Sequence, residues 1–139
     1  MAQKLESLDL SDRDQAQDAL AASCALDSEE IEAIRKAAFD GFREGWLCPK
    51  ENGGIKFGRP AKELCGFTVD AVWMAGPGPK HRHPNGEIDL CFKDEGDPTF
   101  DGRPEGWTVY GPDTTHVPTV RGGSMLILYF LPGGAIEFL

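Results

Sequence analysis

The stretch KHRHPNGEIDLCF, residues 80–92, decides how the rest of the chain is read. In an extended backbone successive side chains point to opposite faces, so His81 and His83 share a face and Arg82 takes the other. Pro84, Asn85 and Gly86 supply a turn or bulge that brings Glu87 back to the histidine face. From Glu87 the same alternation carries Asp89 and Cys91 to that face, while Ile88, Leu90 and Phe92 meet a different layer.

Moving outward, the pattern from Phe67 to the end is one of short apolar runs, FTVDAVWM, EIDLCF, WTVY, MLILYF and AIEFL. They are separated by GPGP, DEGDP, DGRPEG, GPDTT, RGG and PGG, which read as breaks. Short strands with turn signals about every ten residues predict a mainly β fold, a sandwich or barrel. No helix-length periodicity lies between them, which disfavours a parallel βαβ arrangement. Every proline lies at or beyond Pro49, and the preceding third is helical in character. Ser11, with Asp14 three residues on, is the expected cap of one helix. Asp27 or Ser28 caps a second, whose Ile31, Ile34, Ala38, Phe39 and Phe42 form an apolar stripe that Gly45 ends. The expected organisation is an N-terminal helical arm over residues 1–48, packed on the barrel or a partner subunit, and a β-barrel over 49–139.

The chain has three histidines, and His81, His83 and Glu87 can reach one metal ion from one face. His116 follows a glycine- and proline-bearing turn, Gly111 to Asp113, and adds a third nitrogen. Three imidazoles and a carboxylate suit divalent Fe, Mn, Co, Ni or Zn and leave room for water or substrate. Asp89, beside the candidate ligand Glu87, is the candidate general base or the group that orients a metal-bound water, so Glu87 and Asp89 are the expected catalytic carboxylates. Trp107 and Tyr110 are candidates to hold a ring, with Trp73 and Tyr129 behind them. Cys91 reads as a small buried thiol.

Composition narrows the partners. A formal net charge of -9, with basic and acidic residues interspersed, excludes a nucleic-acid surface. An anionic ligand would need a local basic anchor, for which Arg82, Arg103 and Arg121 are candidates. No apolar run approaches the roughly 20 residues that cross a bilayer, so no membrane partner is expected. Four cysteines without C-x-x-C spacing predict free thiols in a cytoplasmic protein, and the apolar helix stripe is compatible with a homodimer.

The H-x-H-x3-E spacing at 81–87, the Gly76-Pro77-Gly78-Pro79 entry and the later His116 resemble the two motifs of the cupins, which implies a jelly-roll barrel. Val120 stands where that family has asparagine, and the Pro112-to-His116 spacing is one residue short. More specifically, KHRHPNGEIDLCF, FDGRPEGWTVYGPDTTHVPTV and RGGSMLILYFLPGGAIEF resemble the 4-hydroxylaminobenzoate lyase family, small cupin-like bacterial proteins. That resemblance implies conversion of 4-hydroxylaminobenzoate to protocatechuate with release of ammonia in nitroaromatic degradation. The ligand set by itself also fits an Fe(II) dioxygenase, and the barrel fits a ligand-binding protein without turnover.

Overall fold

A computed structural model describes residues 2–139, and three helices precede nine strands within them. Helix α1 (Ala2–Glu6) is a single turn. Helix α2 (Arg13–Ser23) starts one residue later than the sequence suggests: the Asp12 carboxylate, not Ser11, accepts from the Gln15 N–H. Ser11 instead donates to Asp9 through both its backbone N–H and its hydroxyl. Helix α3 (Glu29–Glu44) is capped by Ser28, whose hydroxyl accepts from Ile31, and its first turn is acidic, as the helix dipole favours. Gly45 ends it in the left-handed conformation at φ 87°.

Strands β1 (Lys50–Asn52) and β2 (Ile55–Leu64) form a hairpin that sequence patterning did not reveal. Neither alternates apolar and polar residues, and β2 contains Pro60. There follow β3 (Phe67–Met74), β4 (His81–His83), β5 (Glu87–Phe100), β6 (Gly106–Tyr110), β7 (Thr114–His116), β8 (Val120–Pro132) and β9 (Glu137–Phe138). All pairings are antiparallel. The large sheet runs β1-β2-β3-β8-β5-β6 and the small one β7-β4-β9. Two segments expected as breaks are not turns. DEGDP lies inside β5 and RGG inside β8, paired to each other through Gly96 and Gly123. Register shifts flank that pair, and a Cβ on Gly123 would come within 2.0 Å of the Glu95 carbonyl oxygen. The glycines therefore let two long strands bend rather than stop.

The two faces of the large sheet carry different cores. On the outer face Val69, Ala71, Leu90, Phe92, Trp107, Val109, Leu128 and Phe130 join Leu20, Ile31 and Ala38 of the helices in one cluster. Phe42 stacks on Trp73 with centroids 6.1 Å apart, and Arg35 lies over Phe92 while pairing with Glu105 at 3.1 Å. The helical stripe is thus consumed within the chain, and the expectation of a dimer loses that support. On the inner face Met74, Cys91, Phe100, Met125, Ile127 and Tyr129 form a second cluster. All four cysteines are free thiols. Among the described residues no helix is long and apolar enough to cross a membrane.

Candidate metal centre

The small sheet and the start of β5 build the centre. In the β4–β7 register His81 lies opposite His116, so three imidazoles come from two neighbouring strands. The turn from His83 to Gly86, closed by the Gly86 N–H on the His83 carbonyl, returns the chain to present Glu87 beneath them. Gly86 sits at φ +90°, where a side chain is strained, and a Cβ there would meet the Tyr110 carbonyl oxygen at 2.9 Å.

His81, His83, Glu87 and His116 offer four ligand atoms that all lie within 4.8 Å of one another. His81 Nε2 is 3.2 Å from Glu87 Oε1, His83 Nε2 is 3.3 Å from Glu87 Oε2, and His116 Nε2 is 3.1 Å from His81 Nε2. The opposite nitrogen of each ring is committed to an acceptor. His81 Nδ1 donates to the Pro79 carbonyl at 3.1 Å, at the end of the Gly76–Pro79 segment. His83 Nδ1 donates to Thr114 Oγ1 at 2.9 Å, because that hydroxyl spends its own proton on the Gly111 carbonyl. His116 Nδ1 donates to Asp101 Oδ2 at 2.7 Å. With each Nδ1 facing an acceptor, a ring that gives up its Nε2 proton turns that lone pair toward the common point, the tautomer a metal requires.

A cation fits this set on a further observation. His83 Nε2 and Glu87 Oε2 are buried without a hydrogen-bond partner, a costly state for polar atoms in a core unless a cation meets them. Burial by itself would raise Glu87, yet the imidazoles of His116, His81 and His83 around it hold its carboxylate well below the usual range. Burial pulls His116 down, but its hydrogen bonds to Asp101 and Glu87 prevail and hold it at about 9. The protein thus concentrates negative charge where it converges its nitrogens, and a proton or a divalent transition cation can answer it.

Asp89 lies on the same face as Glu87 and is fully buried, with both oxygens lacking a donor. Burial, then the charge of Glu87, push it well above the usual carboxylate range. Two neighbouring carboxyls are therefore pushed apart, Glu87 toward its ionised form and Asp89 toward its protonated one. Cys91, one position further along, is fully buried and pushed up by that burial, an inert thiol.

The other expected site residues divide, one at the centre and two away from it. Tyr110 stacks on His83 at 5.2 Å, touches His116 at 4.2 Å and donates its hydroxyl to Asp101. Trp107 does not share that face. It belongs to the outer core, where its indole N–H donates to the Cys24 carbonyl at 2.7 Å and its ring packs on Phe130. Residues 107 and 110 are three apart on one strand, so period two excludes both from facing the centre. Arg82 also points away, pairing with Asp113 ahead of β7 and with Glu137 of β9 at 3.2 Å. It ties β4 to its neighbours from outside. Asp101 and Thr114, which aim two of the ligands, were not singled out from sequence; each reads locally as an ordinary turn residue.

Beside the centre opens a cleft of about 740 Å³, lined by inner-face residues including Val72, Met74, Tyr129 and Phe138. Of the four ligands, His81 lines it, with the Tyr129 and Phe138 rings 6.4 and 6.0 Å from its own.

A double-sheeted antiparallel barrel that gathers three histidines of its small sheet and a glutamate at the start of β5 has the fold of a cupin. The chain is similar to a solved RmlC-like cupin protein from Ralstonia eutropha JMP134, with a TM-score of 0.50 and 15% identity over 63% of this chain and 61% of that one. It is also 34% identical to a 4-hydroxylaminobenzoate lyase of Nocardioides sp. (strain LMS-CY), a match covering 80% of this chain and 73% of the relative. A protein of the same name from Pseudomonas putida is 29% identical over 81% of this chain and 76% of its own length. The profile of the family described as PnbB, 4-hydroxylaminobenzoate lyase, matches residues 3–138. The chain belongs to the 4-hydroxylaminobenzoate lyase family.

Proposed function

We propose that this protein converts 4-hydroxylaminobenzoate and water to protocatechuate and ammonia at a divalent transition metal held by His81, His83, Glu87 and His116. The observation that carries the metal is the convergence of three Nε2 atoms on Glu87, each ring fixed from behind by its own acceptor. When bound, such an ion supplies Lewis acidity toward the hydroxylamino oxygen.

The protein's own groups supply the rest. Asp89, whose burial beside Glu87 favours the protonated form, delivers a proton as the N–O bond breaks, so that the oxygen leaves with the electron pair as water. Deprotonated by that step, Asp89 then takes a proton from the water that adds to the ring carbon next to the nitrogen-bearing one. A second water replaces nitrogen, and ammonia departs. One water is consumed overall. The two electrons that reduce nitrogen come from the ring, so no external oxidant or reductant enters. Tyr129 and Phe138 flank His81 and hold the aromatic ring in the cleft.

The oxygen balance makes the reading testable. In anaerobic ¹⁸O-labelled water both ring hydroxyls of protocatechuate should carry the label. Retention of the hydroxylamino oxygen in the product would point to intramolecular transfer and contradict the scheme. A strict requirement for O₂ would replace the lyase by an oxygenase, and saturable binding without turnover would leave a binding protein.

A further inference from the structure

Resting on the aromatic acid reading above, we infer that Arg59, oriented by Asp70, is the anchor for the carboxylate of the substrate. The cations first considered for this task do not reach the cleft: Arg82 is engaged outside, and neither Arg103 nor Arg121 lines the cavity. Two others do, Arg59 and Lys50. Asp70 is the lone carboxylate among the lining residues, so the lining is net positive in a chain of net charge -9. An anion is drawn to this cavity against the field of the protein as a whole.

Arg59 is also pre-aimed. Its Nε donates to Asp70 Oδ1 at 2.6 Å and its Nη2 to Asp70 Oδ2 at 3.2 Å, a two-point contact that fixes the guanidinium plane. Nη1 and the outer edge of the fork are left for a second carboxylate. The β2–β3 ladder shifts register between Gly58 and Ala61, directly around Arg59, the kind of irregularity that re-aims a side chain at a cavity.

The spacing suits a para-substituted benzoate. Asp70, Tyr129 and Asp89 lie on one register line across β3, β8 and β5. Two strand spacings separate the ends of that line, about 10 Å. A carboxylate held over Asp70 by Arg59 directs the ring along Tyr129 and the para substituent toward His81, the proposed ligand that lines the cleft. Lys50, on the exposed hairpin strand, has no such partner among the described residues and serves as a control.

Calorimetric titration of the metal-loaded protein with two unreactive probes, 4-aminobenzoate and 4-aminobenzamide, tests the assignment. The native protein should prefer the benzoate by about 10- to 100-fold, the effect of a charge-assisted hydrogen bond. R59Q should abolish that preference by weakening benzoate binding alone, while K50Q should retain it. No preference in the native protein, or an undiminished one in R59Q, overturns the assignment. A melting curve verifies that R59Q is folded. If it is not, R59K keeps the charge beside Asp70 and is expected to bind the benzoate about tenfold more weakly because the fork is lost; unchanged affinity there also overturns it. Turnover is scored separately. Arg59-dependent benzoate binding without ammonia release would remove the lyase reaction and leave the anchor, and ammonia release with an unaltered KM in R59Q would do the reverse.

Discussion

Asp101 shows how one residue outside the ligand set can govern it. Its Oδ2 accepts from His116 Nδ1 and from the Tyr110 hydroxyl, and its Oδ1 accepts the Thr119 N–H at 2.8 Å. Burial would raise its pKa, but the bonds from His116 and Tyr110 keep it low and ionised. D101N preserves size while reversing what the group can offer to Nδ1. Metal affinity measured by competition with a chromophoric chelator should fall about 10- to 100-fold, the usual cost of losing a partner behind a ligand. Asp89 separates binding from chemistry. D89N removes the acidic proton without touching a ligand, so metal content should stay at the native level while kcat falls about 100-fold or more. A D89N protein with native kcat would exclude Asp89 from proton transfer.

At the level of elements, the β4–β5 turn is where backbone conformation and ligand geometry meet. G86A must adopt φ near +90° and press its Cβ against the Tyr110 carbonyl and the Leu10 side chain. The expected loss is about 1–3 kcal/mol of stability from the backbone alone, read as a lowered urea midpoint, together with weaker metal binding as Glu87 shifts. The shared face of the candidate site was legible in the sequence because alternation along a strand is a local rule: His81, His83, Glu87 and Asp89 face inward as period two requires. The same rule, applied to β6, shows why Trp107 and Tyr110 could not both be site residues. Arg59 with Asp70, His83 with Thr114 and His116 with Asp101 were not legible, since each pairs residues 11 to 31 positions apart that only the folded chain brings together. Nor could the DEGDP and RGG segments be told from turns. Glycine permits a bend and a reversal equally, and only the pairing of Gly96 with Gly123 distinguishes them.

For the whole molecule, helices and barrel share one apolar core, so the first 48 residues are a structural layer. Without them Leu90, Phe92, Trp107, Leu128 and Phe130 would lose their cover. A chain starting at Pro49 should be insoluble or bind a hydrophobic dye such as ANS strongly; a soluble 49–139 fragment with a native metal site would show the barrel to be independent. The two faces of the large sheet thereby divide the work, the outer one holding the fold and the inner one facing the cleft and its ligands. That division suits the lyase reaction proposed above, which needs a metal and no oxygen. The most direct measurement is ammonia release from 4-hydroxylaminobenzoate by the metal-loaded protein under strict anaerobiosis, with and without prior chelation. The expected result is one ammonia and one protocatechuate per substrate, lost on chelation and restored by a divalent transition metal. Full activity in the metal-free protein, or none until O₂ is admitted, would contradict it.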